Sequence, residues 1–246
     1  MRRRFFVDQI RNSQARIEGD DARHLTRVLR VEPGQRYEIS DNAHVYLAEV
    51  ETAHKGLVIF QTIEKLPPPP EQARLILCAA LFKFDHFEWM IEKATELGVS
   101  EIVPVETTRS ERGLERAAHK RVERWRRIAL EASQQSRRAF LPEVQEPVSF
   151  DELLTHEASY KYALDEEPGG APLASAFPST RRPSDSIALL LGPEGGWTEE
   201  ERAKFPPHWT RVSLGPLILR AETAAIAALA VAGQAWLENP TGTLTS

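Results

Sequence analysis

Only one cysteine, Cys78, occurs in the 246 residues. Without a second thiol no intrachain disulfide can form, so a reducing compartment is the natural setting and packing must hold the fold together. Cys78 lies within the apolar run 75–81, where a free thiol is ordinarily buried and inert rather than a nucleophile. Long apolar runs are also missing. The longest uncharged one, residues 223–237, is short of the ~20 residues that cross a bilayer. Asp8 cuts off the apolar segment after the arginines at the N-terminus before it could serve as a signal core. The seven histidines and the lone cysteine show no zinc spacing, so no metal is expected. Neither the phosphate-loop pattern ending in Gly-Lys-Ser/Thr nor Gly-x-Gly-x-x-Gly occurs, which disfavours triphosphate and nicotinamide chemistry. What remains is a cytoplasmic globular protein of ordinary composition, 41% hydrophobic and 27% charged.

Net formal charge is −5, which taken alone argues against nucleic acid. The charge is unevenly spread, however. Residues 107–138 hold ten Lys or Arg against four Glu, and residues 1–30 hold eight Arg against four acids. Phosphate binding depends on where cations cluster, so these two stretches outweigh the total. Arg2, Arg3, Arg4, Arg27 and Arg30 in the first, and Arg109, Arg121 and Arg124 in the second, are candidate RNA contacts. For residues 112–127 a solvated, salt-bridged helix face is the competing reading. His24, with apolar neighbours on a helix, is read as an RNA contact or a packing residue.

Residues 1–66 read as short strands at 14–18, 36–40, 45–50 and 57–63, punctuated by Gly19-Asp, Pro33-Gly, Asp41-Asn and Lys55-Gly, with one helix at 21–31. A small β-barrel is the economical closure. Pro67 to Pro70 form a stiff extended spacer, so the boundary is set there: a domain of residues 1–70 and a second of 71–246. Beyond it, strands at 75–81, 102–105, 160–164, 187–191 and 211–214 alternate with helices at 85–97, 114–136 and 221–237. That alternation predicts an α/β domain with a mainly parallel sheet. The last helix is apolar nearly all round and must be buried. Residues 165–186 read as a Pro/Gly/Ser-rich loop.

Two neighbouring motifs carry the functional signal. Leu189-Leu-Leu-Gly-Pro-Glu-Gly-Gly-Trp197 is echoed by Leu214-Gly-Pro-Leu-Ile-Leu-Arg-Ala-Glu-Thr-Ala224. Each is an apolar run broken by Gly-Pro, where proline lacks a backbone donor and the chain must turn. Adjacent glycines let a ligand approach the backbone N–H and C=O groups, which suits the edge of an adenine ring. Thr198 and Glu201 have the capping-box spacing, so a helix should start directly after Trp197. A purely structural strand-to-helix turn is the competing reading.

These strings resemble the SPOUT superfamily, and specifically its RsmE branch of ribosomal RNA uridine-N3 methyltransferases. Lys83, the segment Ile91-Glu-Lys-Ala-Thr-Glu-Leu-Gly98 with residues 102–104, Arg109-Ser110, Glu131-Ala-Ser-Gln-Gln-Ser136 and His24-Leu-x-x-Val-Leu-Arg30 are similar to the same pattern, in order, over nearly the whole chain. Leu217 departs from it, standing where the family usually has arginine. The resemblance implies an N-terminal PUA-like β-barrel, a SPOUT α/β domain with a trefoil knot, and a homodimer through the last helix. It implies S-adenosylmethionine as cofactor, held by Leu164, Leu190, Gly192, Pro193, Glu194, Gly195, Gly196, Leu214, Gly215, Leu219, Arg220 and Thr223. Ribosomal RNA or the small ribosomal subunit is the implied partner, and Lys83 joins the candidate RNA contacts.

Methyl transfer to uridine N3 needs the N3 proton removed or the resulting anion stabilised. Arg220 is the candidate for stabilising the anion and Glu222 for base or orienting group. A first-turn carboxylate favoured by the helix dipole is the alternative for Glu222. Two rival classes remain: an RNA-binding protein without activity, and an α/β enzyme on a different adenine nucleotide.

Overall fold

The structure, a computed structural model, describes residues 3–111, 113–167 and 169–237. The chain forms two compact units, Met1–Pro70 with Leu130–Leu141, and Glu71–Ala129 with Pro142–Ser246.

The first unit contains β1 (Arg4–Phe6), β2 (Ile10–Arg11), β3 (Gln14–Glu18), α1 (Gly19–Arg27), β4 (Arg36–Ser40), β5 (Val45–His54) and β6 (Leu57–Lys65). Its sheet runs β1-β4-β5-β6-β3-β2, antiparallel throughout except for the β1–β4 pair. Alternate residues Ala15, Ile17, Val58 and Phe60 face inward with Phe5, Ile39, Ala48 and Val50, and α1 adds Ala22 and Leu25 to the same core. The expected closed barrel is corrected to an open, curved sheet: among the described residues no ladder joins β1 to β2. Those end strands are three and two residues long, too short to build a closing seam, and α1 covers the apolar face instead. The helix begins at Gly19, earlier than expected, and has ended before Arg30, whose φ of 53° is incompatible with continuing it. Residues 130–141 belong to this unit through hydrogen bonds: Ser40 Oγ donates to the Ala139 carbonyl at 2.7 Å and Leu141 N–H to Asn42 Oδ1 at 2.7 Å.

The second unit contains β7 (Arg74–Ala80), α2 (Phe84–Glu96), β8 (Glu101–Glu106), α3 (Leu114–Ala118), α4 (Val122–Ser136, whose last turns lie with the first unit), β9 (Glu143–Val144), β10 (Val148–Ser149), α5 (Phe150–Leu153), β11 (Tyr160–Leu164), β12 (Ala171–Pro172), a 3₁₀ turn (Leu173–Ala176), β13 (Ser186–Leu191), α6 (Glu199–Lys204), β14 (Trp209–Ser213) and α7 (Ala221–Leu237). The sheet order is β10-β8-β7-β13-β11-β14-β12, with β9 also on β8, and every pairing is parallel. Both faces are covered, so the strands read as continuous apolar runs. Leu75, Leu77 and Ala79 pack with Leu189 and Leu191 on the face that α2, α4 and α7 cover; Ile76, Cys78, Ala188 and Leu190 pack on the other, with α5, Trp197 and Trp209. Cys78 is fully buried and burial pushes its thiol pKa up, so it is the inert core residue expected.

Two expectations for this unit change. The helix expected over 114–136 is two helices, because backbone N–H groups of Lys120 and Arg121 close onto the carbonyls of Ala117 and Ala118 in tight i→i−3 bonds. The loop 165–186 holds β12 and a 3₁₀ turn; Pro172 is tolerated because β12 is an edge strand.

Candidate functional site

Strands β13, β11 and β14 are adjacent and parallel, so the loops after their carboxyl ends emerge side by side. Such an edge is where open α/β sheets bind ligands. Here the three loops form a cleft open to solvent, walled by Leu164, Leu191, Leu214, Leu219 and Ala224 and carrying Glu166 and Glu194.

Each loop is locked in place. The Trp197 indole is 1% exposed, and its Nε1–H donates to the Leu164 carbonyl at 2.9 Å, tying the β13 loop to the β11 loop. Thr198 and Glu201 form the expected capping box at the start of α6. Glu201 reaches further, accepting the Thr108 N–H at 2.9 Å. Burial raises the Glu201 pKa, but hydrogen bonds from Thr198 and Thr108 outweigh it, so the net shift is downward. Asp165, its side chain fully buried, accepts from Arg202 Nε at 3.0 Å and Arg211 Nε at 3.1 Å. Its pKa is likewise lowered: burial raises it, and the Arg202 hydrogen bond, the Glu167 N–H and both arginine charges prevail.

Glycine is required at two points. A Cβ on Gly192 would stand 2.9 Å from Trp197 Cε2, and one on Gly196, at φ +68°, would stand 2.5 Å from Glu166 Oε1.

Among the residues expected to hold a cofactor, Leu164, Gly192, Pro193, Glu194, Gly196, Leu214, Gly215 and Leu219 line the cleft. Leu190 does not: strand alternation turns it into the core on the opposite face, at 0% exposure, and Leu191 takes the place beside the cleft. Thr223 is exposed on α7 and is replaced by Ala224. Gly195 is absent from the lining; its carbonyl accepts Arg109 Nη1 at 2.9 Å. Arg109, expected on RNA, thus clamps the glycine turn, also donating to the Trp197 carbonyl at 3.3 Å.

Arg220 lies in a second cleft with Lys83, His86 and Glu194, which shares Glu194, Ile218, Leu219 and Ala221 with the first. Glu222, the second residue of α7, is 8% exposed and its Oε1 is 2.8 Å from His86 Nδ1. Burial raises the Glu222 pKa, while the His86 hydrogen bond, its own backbone N–H and the charges of His86 and Arg220 bring it below the ordinary value. A carboxylate so held is a weak proton acceptor and a good orienting group. Residue types gave no signal for His86, which stands alone on its helix in the sequence.

The expected RNA contacts divide. Arg2 lies outside the described residues. Arg3, His24, Arg27 and Arg30 are exposed on the first unit. Arg4 is corrected: its guanidinium is 13% exposed, pairs with Glu38 at 2.6 Å and donates to the Arg137 carbonyl at 2.7 Å, so it is spent inside its own unit. Arg121 and Arg124 both donate to Glu88 Oε1 at 2.8 Å, and Arg121 also lies over the Phe84 ring, so much of their charge is neutralised locally. Among the described residues no cluster of His, Cys, Asp or Glu has the form of a metal site, and no helix is long and apolar enough to cross a membrane.

The doubly covered parallel sheet with a glycine-turn cleft on its carboxyl edge defines an α/β domain of the nucleotide-binding kind, and the other unit carries an open, mainly antiparallel sheet. Residues 69–233 match the model of an RNA methyltransferase domain, and residues 17–63 that of an RNA methyltransferase PUA domain. The chain is 32% identical over 225 residues to ribosomal RNA small subunit methyltransferase E of Bacillus subtilis, covering 87% of each. It is 32% identical over 231 residues to the Synechocystis protein of that name, covering 91% of this chain and 74% of the relative. The Neisseria gonorrhoeae ribosomal RNA small subunit methyltransferase E, solved with S-adenosyl methionine bound, superposes with a TM-score of 0.84 at 28% identity, covering 96% of this chain and 98% of that one. The chain belongs to the RsmE family of RNA methyltransferases, with a PUA-like N-terminal domain.

Proposed function

We propose that this protein is an S-adenosylmethionine-dependent methyltransferase acting on N3 of a specific uridine in small-subunit (16S) ribosomal RNA. The observation that carries the reading is the cleft built by three adjacent strand-end loops, with a side chain excluded at Gly192 by the Trp197 indole and disfavoured at Gly196 by its φ of +68°. The donor set fits the cofactor. Apolar walls of Leu164, Leu191 and Leu214 suit an adenine face, and Glu166 and Glu194 suit the cationic sulfonium and amino groups. When bound, the cofactor supplies an electrophilic methyl group.

The chain's own residues then have to place and activate the uracil. Arg220 and Lys83, in the adjoining cleft, stabilise the negative charge that develops on the uracil oxygens as N3 loses its proton. Glu222 orients rather than removes protons, given its lowered pKa and its hydrogen bond to His86.

Residues 1–70, joined by 130–141, serve as the RNA-binding domain, and the rest of 71–246 as the methyltransferase domain. His24, Arg27 and Arg30 form the phosphate-facing patch of the first. In the second, β14 lies beyond β11 while the helix that follows it packs back on β7, β13 and α2. Such a return path supports a trefoil knot formed by the C-terminal segment. Exposed Val231 and Leu237 on α7 support a homodimer through that helix. The lone buried cysteine accords with a cytoplasmic setting.

A thermal-shift panel tests the reading. S-adenosylmethionine at a hundred times its dissociation constant should add about 2.7 kcal/mol of stability, whereas ATP and NAD should add nothing. A shift with ATP or NAD alone assigns the cleft to another nucleotide.

A further inference from the structure

Two helix starts converge beside the second cleft. His86 stands in the first turn of α2 and Glu222 in the first turn of α7, with Nδ1 and Oε1 2.8 Å apart. An ionised carboxylate only accepts, so Nδ1 is the donor, and the neutral ring then carries its lone pair on Nε2. His86 lines the cleft together with Lys83, Glu194, Leu219 and Arg220, and 35% of its side chain stays exposed, so a base entering there can reach the ring. A carboxylate that fixes one imidazole nitrogen and leaves the other free is the arrangement by which histidine serves as a general base.

We propose that His86 Nε2 accepts the N3 proton of the target uridine, with Glu222 fixing the ring and stabilising the imidazolium that forms. The proposal rests on the uridine-N3 reading above. The N3–H bond breaks and its proton passes to Nε2. The electron pair left on N3 forms the new bond to the methyl carbon, whose bond to sulfur breaks with its pair remaining on sulfur. The imidazolium afterwards releases its proton to water. The charged groups around the ring favour this traffic. Asp85 Oδ2, on the same helix, is 3.7 Å from Nε2 but is 78% exposed and well screened. Glu222 faces the ring from α7. Lys83 and Arg220, before the two helices, and Glu194, from the loop after β13, complete the set. Both cations are placed to hold anionic uracil oxygens rather than to compete for the proton.

The test has two arms. Nitrogen-15 NMR of histidine-labelled protein without cofactor should show His86 as the Nδ1–H tautomer, and Glu222→Gln should abolish that preference. In single-turnover assays His86→Gln should lower methyl transfer about 10²- to 10⁴-fold near neutral pH, with the calorimetric affinity for S-adenosylmethionine unchanged. Its residual rate should then climb with hydroxide concentration while the wild-type rate levels off. A wild-type ring in the Nε2–H form, or a His86→Gln variant with the wild-type rate and pH profile, overturns the proposal. If His86→Gln does not fold, the tautomer of the wild-type ring decides. A wild-type protein that binds the cofactor yet never methylates uridine N3 removes the functional reading itself, and is told apart because it needs no variant.

Discussion

Replacing Gly192 with alanine probes how the cleft is built. The added methyl would stand 2.9 Å from Trp197 Cε2 and 3.1 Å from its Nε1. The indole cannot swing aside, because it is 1% exposed and packed between Phe150 and Phe205, each with its ring centroid 5.4 Å away. Either the backbone of the glycine turn shifts or the indole leaves the Leu164 carbonyl. Overpacking of this kind costs about 1–3 kcal/mol, and losing the 2.9 Å Trp197–Leu164 hydrogen bond adds about 1 kcal/mol. For a chain of this size each kcal/mol lowers the melting midpoint by about 2–4 °C, so a fall of several degrees is expected. Cofactor affinity should fall with it, since the bond joins two of the three cleft loops. Gly233→Ala supplies the opposite sign: its methyl would meet only Leu75 Cδ1 at an ordinary 3.5 Å, within helix α7. That change should stabilise by about 0.5–1 kcal/mol through helix propensity. Calorimetric melts with S-adenosylmethionine titrations on both variants measure the effects. A Gly192→Ala protein that melts and binds like wild type would refute the proposed coupling of the loops through Trp197.

Three further outcomes follow from the same geometry. Asp165→Asn should destabilise by about 3 kcal/mol, the lower end for a broken buried ion pair because Arg211 stays 38% exposed; a urea midpoint within error of wild type counts against it. The folded Asp165 and Glu201 pKa values lie below their unfolded ones, so their stabilisation is complete above the ordinary carboxylate range near pH 4 and is lost as pH falls through the folded values. Urea titrations at falling pH should therefore show wild type losing stability more steeply than Asp165→Asn. RNA affinity should decline with salt, and replacing Arg3, Arg27 and Arg30 together should lessen the logarithmic slope by about 2–3. Arg4→Ala should lower the stability of the first unit and leave that slope alone, since Arg4 is committed to Glu38 and Arg137.

Legibility from sequence followed the range of the interactions. Residues 189–201 and 214–224 were readable because Gly-Pro breaks and the Thr198/Glu201 cap act within a few residues. The parallel sheet was readable because both faces of each strand are buried, so β7 and β13 are uniformly apolar. Leu190 was misplaced for that same reason: a uniformly apolar strand does not announce which residue faces the cleft and which the opposite core. The roles of Arg4, Arg109 and Arg121 were hidden because a charged residue looks alike in sequence whether it meets phosphate or a partner such as Glu38, the Gly195 carbonyl or Glu88, distant along the chain. His86 was missed because its partner, Glu222, lies 136 residues away. The open edge between β1 and β2 depends on strand length and register, which alternation alone does not specify.

The most direct test of the account is mass spectrometry of nucleosides from small ribosomal subunits lacking this modification, incubated with the purified protein and S-adenosylmethionine carrying a labelled methyl group. The predicted result is label at N3 of a single uridine, reduced in the Arg220→Ala protein while that variant still binds the cofactor. Label on another base or ring position, or none despite cofactor binding, would contradict it.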